Sequence, residues 1–317
     1  MTRKHVRAAL GALALALAPG PGLAAEVWVA NMTSADVSVI DPATNEVVAT
    51  VPAGAGAHNI TFTPDGKRAL VANVGDGSVT IIDAEAKAVL AHLPEIGPRT
   101  HEVSVSPDGK WAAASNVGGD TVTWIDITAA EAAGSTTTDA GAMMSVFSPD
   151  AARLYVVNAN AANISVVDVA SRAVTATLEG GKGAMAFAPE ADWGRAWVTA
   201  PAEDLIKLVD LASGKAVASI AVEGEPHGMV LSPDRSRIYV AARKARELVV
   251  IDPAARAIVA RVPMGEQPDM VATDPAGETL YVVDRAGDTL LVVSAADLSV
   301  TAEIAVGDEP HGVAWRP

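Results

Sequence analysis

A proline recurs along this chain at a nearly fixed interval, and that period constrains the fold more than any other feature. Pro64, Pro107, Pro149, Pro189, Pro233, Pro275 and the final Pro317 are separated by 43, 42, 40, 44, 42 and 42 residues. Most sit in a tripeptide close to Ser-Pro-Asp, such as Thr63-Pro64-Asp65, Ser106-Pro107-Asp108, Ser148-Pro149-Asp150 and Ser232-Pro233-Asp234. A repeat of this length is one supersecondary unit that cannot bury its apolar face alone and must stack on its neighbours.

Each repeat contains four short apolar runs. One precedes the proline, as in His58-Asn59-Ile60-Thr61-Phe62, and a second follows it, as in Arg153-Leu154-Tyr155-Val156-Val157-Asn158. A third and a fourth come after polar turns, as in Ser78 to Asp83 and Ala173 to Leu178. Runs of four to six residues rich in Val and Ile, bounded by Pro, Gly, Asn and Asp, read as β-strands. Four antiparallel strands every 42 residues or so predict the blades of an all-β propeller. The first strand is missing at the start, where Glu26 to Asn31 aligns with a second strand, and it reappears as His311-Gly312-Val313-Ala314-Trp315. Seven blades follow, the ring being closed by the N-terminal strands plus the C-terminal strand.

Residues 1–24 have the layout of a secretory signal peptide: basic Arg3, Lys4 and Arg7, an eleven-residue apolar run from Ala8 to Ala18, helix breakers at Pro19 to Gly22, and small residues before Ala25. That run is too short to span a bilayer. The expected domain is therefore 25–317, exported to the periplasm or secreted, with no membrane span. Without the signal, 20 Lys and Arg face 38 Asp and Glu, a formal charge of −18, which repels phosphate backbones and excludes general nucleic-acid binding. The chain has no cysteine, so disulfides, c-type haem attachment through Cys-x-x-Cys-His and cysteine-held iron–sulfur clusters are excluded.

The second strands Trp28-Val29-Ala30-Asn31, Leu70-Val71-Ala72-Asn73, Tyr155-Val156-Val157-Asn158, Tyr239-Val240-Ala241-Ala242 and Tyr281-Val282-Val283-Asp284 resemble the YVTN family of β-propeller repeats. So do the flanks Pro226-His227-Gly228-Met229 and Val249-Val250-Ile251-Asp252-Pro253. The resemblance covers residues 25–317 and implies a seven-bladed ring in an exported bacterial protein. It says little about activity, since propellers host many. Related propellers occur in periplasmic redox enzymes, and lactonases also use seven blades.

One position concentrates chemistry. Six residues before each repeat proline stand His58, His101, Met143, Gly183, His227, Asp269 and His311. The position opens the first, innermost strand and is expected at the mouth of the central channel. Imidazoles converging from neighbouring blades suit copper or another transition metal, and Met143 adds a soft donor. The set looks like the histidine ring that holds the copper cluster of nitrous-oxide reductase, but has four histidines, not seven. The competing expectation is that Pro-His-Gly belongs to the repeat, each histidine bonding the neighbouring loop. The aspartates Asp41, Asp83, Asp126, Asp168, Asp210 and Asp252 precede turns, where a carboxylate accepts backbone N–H groups. Arg243, Lys244 and Arg246 form a basic loop on the face of His227, a place for an anionic ligand or acidic partner or else a solvated loop.

No Gly-x-Ser-x-Gly, P-loop or His-Glu-x-x-His motif is present. The sequence therefore points first to a monomeric, non-enzymatic binding or scaffold propeller working through its top face. Its partner would be a periplasmic redox enzyme or transport component. The alternatives are a metal- or cofactor-binding accessory of a periplasmic oxidoreductase and, third, a lactonase-like enzyme. Export predicts a mature N-terminus at Ala25. N-terminal sequencing of periplasmic protein tests this, and an uncleaved chain confined to the cytosol would contradict it.

Overall fold

The computed structural model describes residues 25–317; the signal-peptide reading lies outside them. Seven four-stranded antiparallel sheets form the ring. Six are continuous in sequence, beginning with blade 1 (57–93) and ending with blade 6 (268–305). Blade 7 joins Pro310–Arg316 to Glu26–Asn31, Asp36–Asp41 and Glu46–Pro52. The all-β, seven-bladed architecture and its closure are thus as the repeat spacing predicts.

The strands explain their own composition. Side chains alternate between the two faces of a strand, and in the middle strands of each blade both faces are covered. In Arg68–Asn73, Ala69 and Val71 enter a core shared with blade 7, while Leu70 and Ala72 enter one shared with blade 2. Seven such cores lie between the seven pairs of neighbouring blades. This is why the runs read as nearly continuous apolar sequence. Outermost strands bury one face at most, and their Val48, Leu90, Val217 and Val259 remain exposed.

The turn aspartates act as the sequence suggests. Asp83 Oδ1 accepts the N–H groups of Glu85 and Ala86, and Asp126 those of Thr128 and Ala129. Asn31, Asn73 and Asn116 end second strands fully buried, and each donates to two side chains of the next strand. Blade 4 departs from the repeat. Its innermost strand is only Phe187–Pro189, because Gly183, at φ 71°, sits in a turn closed by Ala184 N–H donating to the Gly181 carbonyl. Residue 183 therefore does not open a strand, and the inner wall is thinner there.

Closure rests on paired strands and one buried ion cluster. Val27 pairs with Trp315 and Val29 with Val313. Arg316 Nη1 and Trp28 Nε1 both donate to Glu26 Oε2, at 2.9 and 3.0 Å, while Lys87 lies 2.7 Å from Oε1. Burial alone would raise the Glu26 pKa, but these three donors outweigh it and hold it below the ordinary value. Arg316 also donates to the Gly66 carbonyl at 2.9 Å, tying blade 7 to blade 1. Deleting residues 311–317 is expected to lower the melting temperature by at least about 10 °C. Arg316→Ala alone should cost about 3 kcal/mol in chemical denaturation, since it strips a buried carboxylate of a partner. An unchanged melting temperature for the truncated chain would contradict this account of closure.

Candidate functional site at the ring centre

The seven inner strands bring their opening residues together. The sequence places these side chains at a channel mouth; the structure buries His58, His227, His311 and Asp269 and leaves His101 half-buried. They divide into two groups. His311, His58 and His101, on blades 7, 1 and 2, form a row of mutually tilted rings with centroids 3.5 and 4.0 Å apart. Each Nδ1 reaches a carbonyl at the same position of the next blade: His311 to His58 at 3.1 Å, His58 to His101 at 2.9 Å and His101 to Met143 at 2.9 Å. A carbonyl only accepts, so Nδ1 carries the hydrogen and Nε2 keeps a free lone pair. Burial first, and neighbouring positive groups second, lower the pKa values of His58 and His101, the latter to about 3. Burial also takes His311 to about 3, against the opposing pull of Asp269.

The second group is His227, Asp269 and His311, whose ligand atoms all lie within 4.8 Å of one another. His227 Nδ1 is 2.9 Å from Asp269 Oδ1, and His311 Nε2 is 3.6 Å from Asp269 Oδ2. Burial pushes the Asp269 pKa up, but the two imidazoles and Arg243 pull harder and hold it well below the carboxylate range. Arg243 Nε donates to Oδ1 at 2.8 Å, and Arg285 stands 3.9 Å from Oδ2. Both ring nitrogens of His227, and Asp269 Oδ2, are buried without a hydrogen-bond partner among the described residues. The 2.9 Å approach of His227 to Asp269 is thus off the hydrogen-bond direction. Orphaned buried polar atoms are uncommon and call for a reason, an unplaced water or ion among them.

His227 lines a solvent-open cleft of about 360 Å³ with Met143, Gly183, Met185 and Arg243. It also lines an inner cavity of about 60 Å³. The thin inner wall of blade 4 contributes Met185 to both. The basic loop divides its charges. Arg243 turns inward to Asp269 and Glu225, Lys244 lies 3.1 Å from Glu225, and Arg246 lies 2.9 Å from Glu266.

Sequence reasoning passed over Glu102, which follows His101 and lines the inner cavity. Its Oε2 accepts the Ser145 N–H at 3.0 Å, but burial dominates and pushes the pKa up to about 8. The available signal was an acid five residues before the repeat proline, where the other blades carry Asn59, Met144, Ala184, Gly228, Met270 and Gly312.

The family model described as lactonase, seven-bladed β-propeller, matches residues 93–300. The chain belongs to this seven-bladed lactonase family. A second model, YNCE-like β-propeller, matches residues 6–118. No curated protein matches the sequence. Among solved structures, this lactonase-family chain is similar to Kuenenia stuttgartiensis hydrazine synthase, with TM-score 0.78 and 21% identity over 86% of this chain and 92% of that one. It is also similar to a periplasmic gluconolactonase of Pseudomonas aeruginosa (0.79, 18%, 92% and 99%). A dihydro-haem d1 dehydrogenase matches too (0.69, 19%, 91% and 74%). At these identities the structures show a shared fold.

Glu102 gives a pH test. The unfolded chain releases this proton near 4.5 and the folded chain near 8. The contribution of Glu102 to stability is therefore complete below the lower value and is lost as pH rises toward the upper one. Relative to Glu102→Gln, the wild type should lose unfolding free energy between the two values, with a slope approaching about 1.4 kcal/mol per pH unit. Parallel stability profiles for the two proteins would contradict the assignment.

Proposed function

We propose that this protein is an exported metal-binding propeller whose ring centre holds one divalent transition-metal ion between His227, His311 and Asp269. The observation that carries the reading is the buried convergence of two imidazoles and an ionised carboxylate with unpartnered ligand atoms. Donors bound at about 2.0–2.1 Å to one tetrahedral ion sit about 3.4 Å apart, and the 3.6 Å between His311 Nε2 and Asp269 Oδ2 is close to that. The support around the donors is of the kind metal ligands use: the His311 Nδ1 hydrogen bonds a backbone carbonyl, and Arg243 bonds the carboxylate. Two nitrogens and one oxygen suit zinc, iron, nickel or cupric copper. Three protein ligands leave a coordination position toward the cleft for a small ligand or for the site of a periplasmic partner.

A second reading is favoured by the family match: hydrolysis of a cyclic ester in the cleft. His227 on the floor, beside a carboxylate held ionised, would take the proton of the attacking water. Either reading puts His227 at the centre of function.

Metal-free protein titrated with Co(II) is expected to bind one equivalent and develop the visible spectrum of a low-coordinate nitrogen–oxygen site. His227→Ala and His311→Ala should each weaken that binding by about 10–100-fold or more. Absence of Co(II) binding, combined with lactone hydrolysis that His227→Ala abolishes, would replace the metal reading with the hydrolytic one.

A further inference from the structure

Most of the methionines gather at the ring centre. Of the eight in the chain, Met144, Met185, Met229 and Met270 line the inner cavity, and Met143 lines the cleft beside it. The four cavity methionines come from four consecutive blades, 3 to 6. Across the cavity stand His311 of blade 7 and His101 of blade 2, the two ends of the imidazole row. The cavity lining therefore combines four thioethers with the imidazoles of His101, His227 and His311 and the carboxyl group of Glu102. All four methionines are half-buried, and Met144 and Met229 also pack against the cores between blades 3 and 4 and blades 4 and 5. Gap-filling is the usual work of a core methionine; here the gap remains.

The cavity bounds its occupant. About 60 Å³ is room for a few waters, enough for a bare ion and too small for a haem. Thioethers are soft, uncharged donors that select cuprous copper over harder divalent ions. A buried site built from neutral donors also disfavours double charge more than single charge. We infer that the inner cavity is a receptacle for one Cu(I) ion, held by sulfurs from among Met144, Met185, Met229 and Met270 and entered from the cleft past Met143 and His227. The inference rests on the metal-binding reading of this channel but uses different donor atoms, so the two can fail separately. No electron transfer is involved: the ion arrives and leaves as Cu(I), exchanging one set of ligands for another.

The test is an anaerobic titration of the metal-free protein with Cu(I) against a coloured Cu(I) chelator, run beside the Co(II) titration. The wild type is expected to withdraw one equivalent of Cu(I). Replacing all four cavity methionines by leucine conserves volume closely enough to keep the ring folded. It should weaken Cu(I) binding by at least the ~10–100-fold that loss of a supporting group costs a metal site, and leave Co(II) binding unchanged. Equal Cu(I) affinity in the two proteins, or no withdrawal by the wild type, overturns the inference. Co(II) binding without Cu(I) binding overturns it while the His227 site stands; the reverse overturns the His227 site alone. Should the leucine variant not fold, X-ray absorption of the wild-type Cu(I) complex decides, with sulfur neighbours expected and a shell of nitrogen and oxygen alone contradictory.

Discussion

Burial of both faces of the middle strands is the constraint on which everything else depends. A blade such as 57–93 has an apolar surface on each side and no core of its own. It needs two neighbours, each neighbour needs another, and the demand ends only when the ring closes. Closure removes the exposed flanking surfaces that a linear stack would leave to be capped. That places the whole load on the join between Glu26–Asn31 and Pro310–Arg316, which explains the buried cluster of Glu26, Arg316, Trp28 and Lys87 at that seam.

The same closure creates the site. Seven inner strands start around one axis, so whatever the repeat carries at its opening position is forced into a shared volume. Where the residue is histidine and the next blade offers a carbonyl, the hydrogen bond between them locks the ring in place as a neutral strut between blades. His58 and His101 are explained fully in that way, as hydrogen-bonded parts of the repeat. His227 is not, because the next blade presents the carboxylate of Asp269, held in its charged form by His311, His227 and Arg243 together. The departure from the repeat, not the repeat itself, produces the chemistry.

What was legible in the sequence follows the same division. The period, the four strands and the terminal closure are local or additive properties, and Pro64 to Pro317 carried them openly. Convergence of His58, His101, His227, Asp269 and His311 was legible too, since it needs only the repeat register. Their burial was not, because it depends on how tightly seven inner strands close. Nor could the sequence show that Arg243 turns inward to Asp269 while Lys244 and Arg246 stay at the surface, since the three read alike as charges. The shortened inner strand of blade 4 was hinted at by Gly181-Lys182-Gly183 and the 40-residue spacing. The acid at Glu102 and the methionines of blades 3 to 6 were present in the repeat alignment, but only the cavity shows that they face one another.

The central claim is that His227, His311 and Asp269 bind one ion together. Its most direct test is anomalous X-ray diffraction at a metal edge, on crystals of protein loaded with Zn(II) or Co(II). The account predicts a single strong peak within about 2.0–2.2 Å of an imidazole nitrogen of each histidine and of a carboxylate oxygen. An ordered water bridging the same three residues, with no anomalous signal at the ring centre, would contradict it.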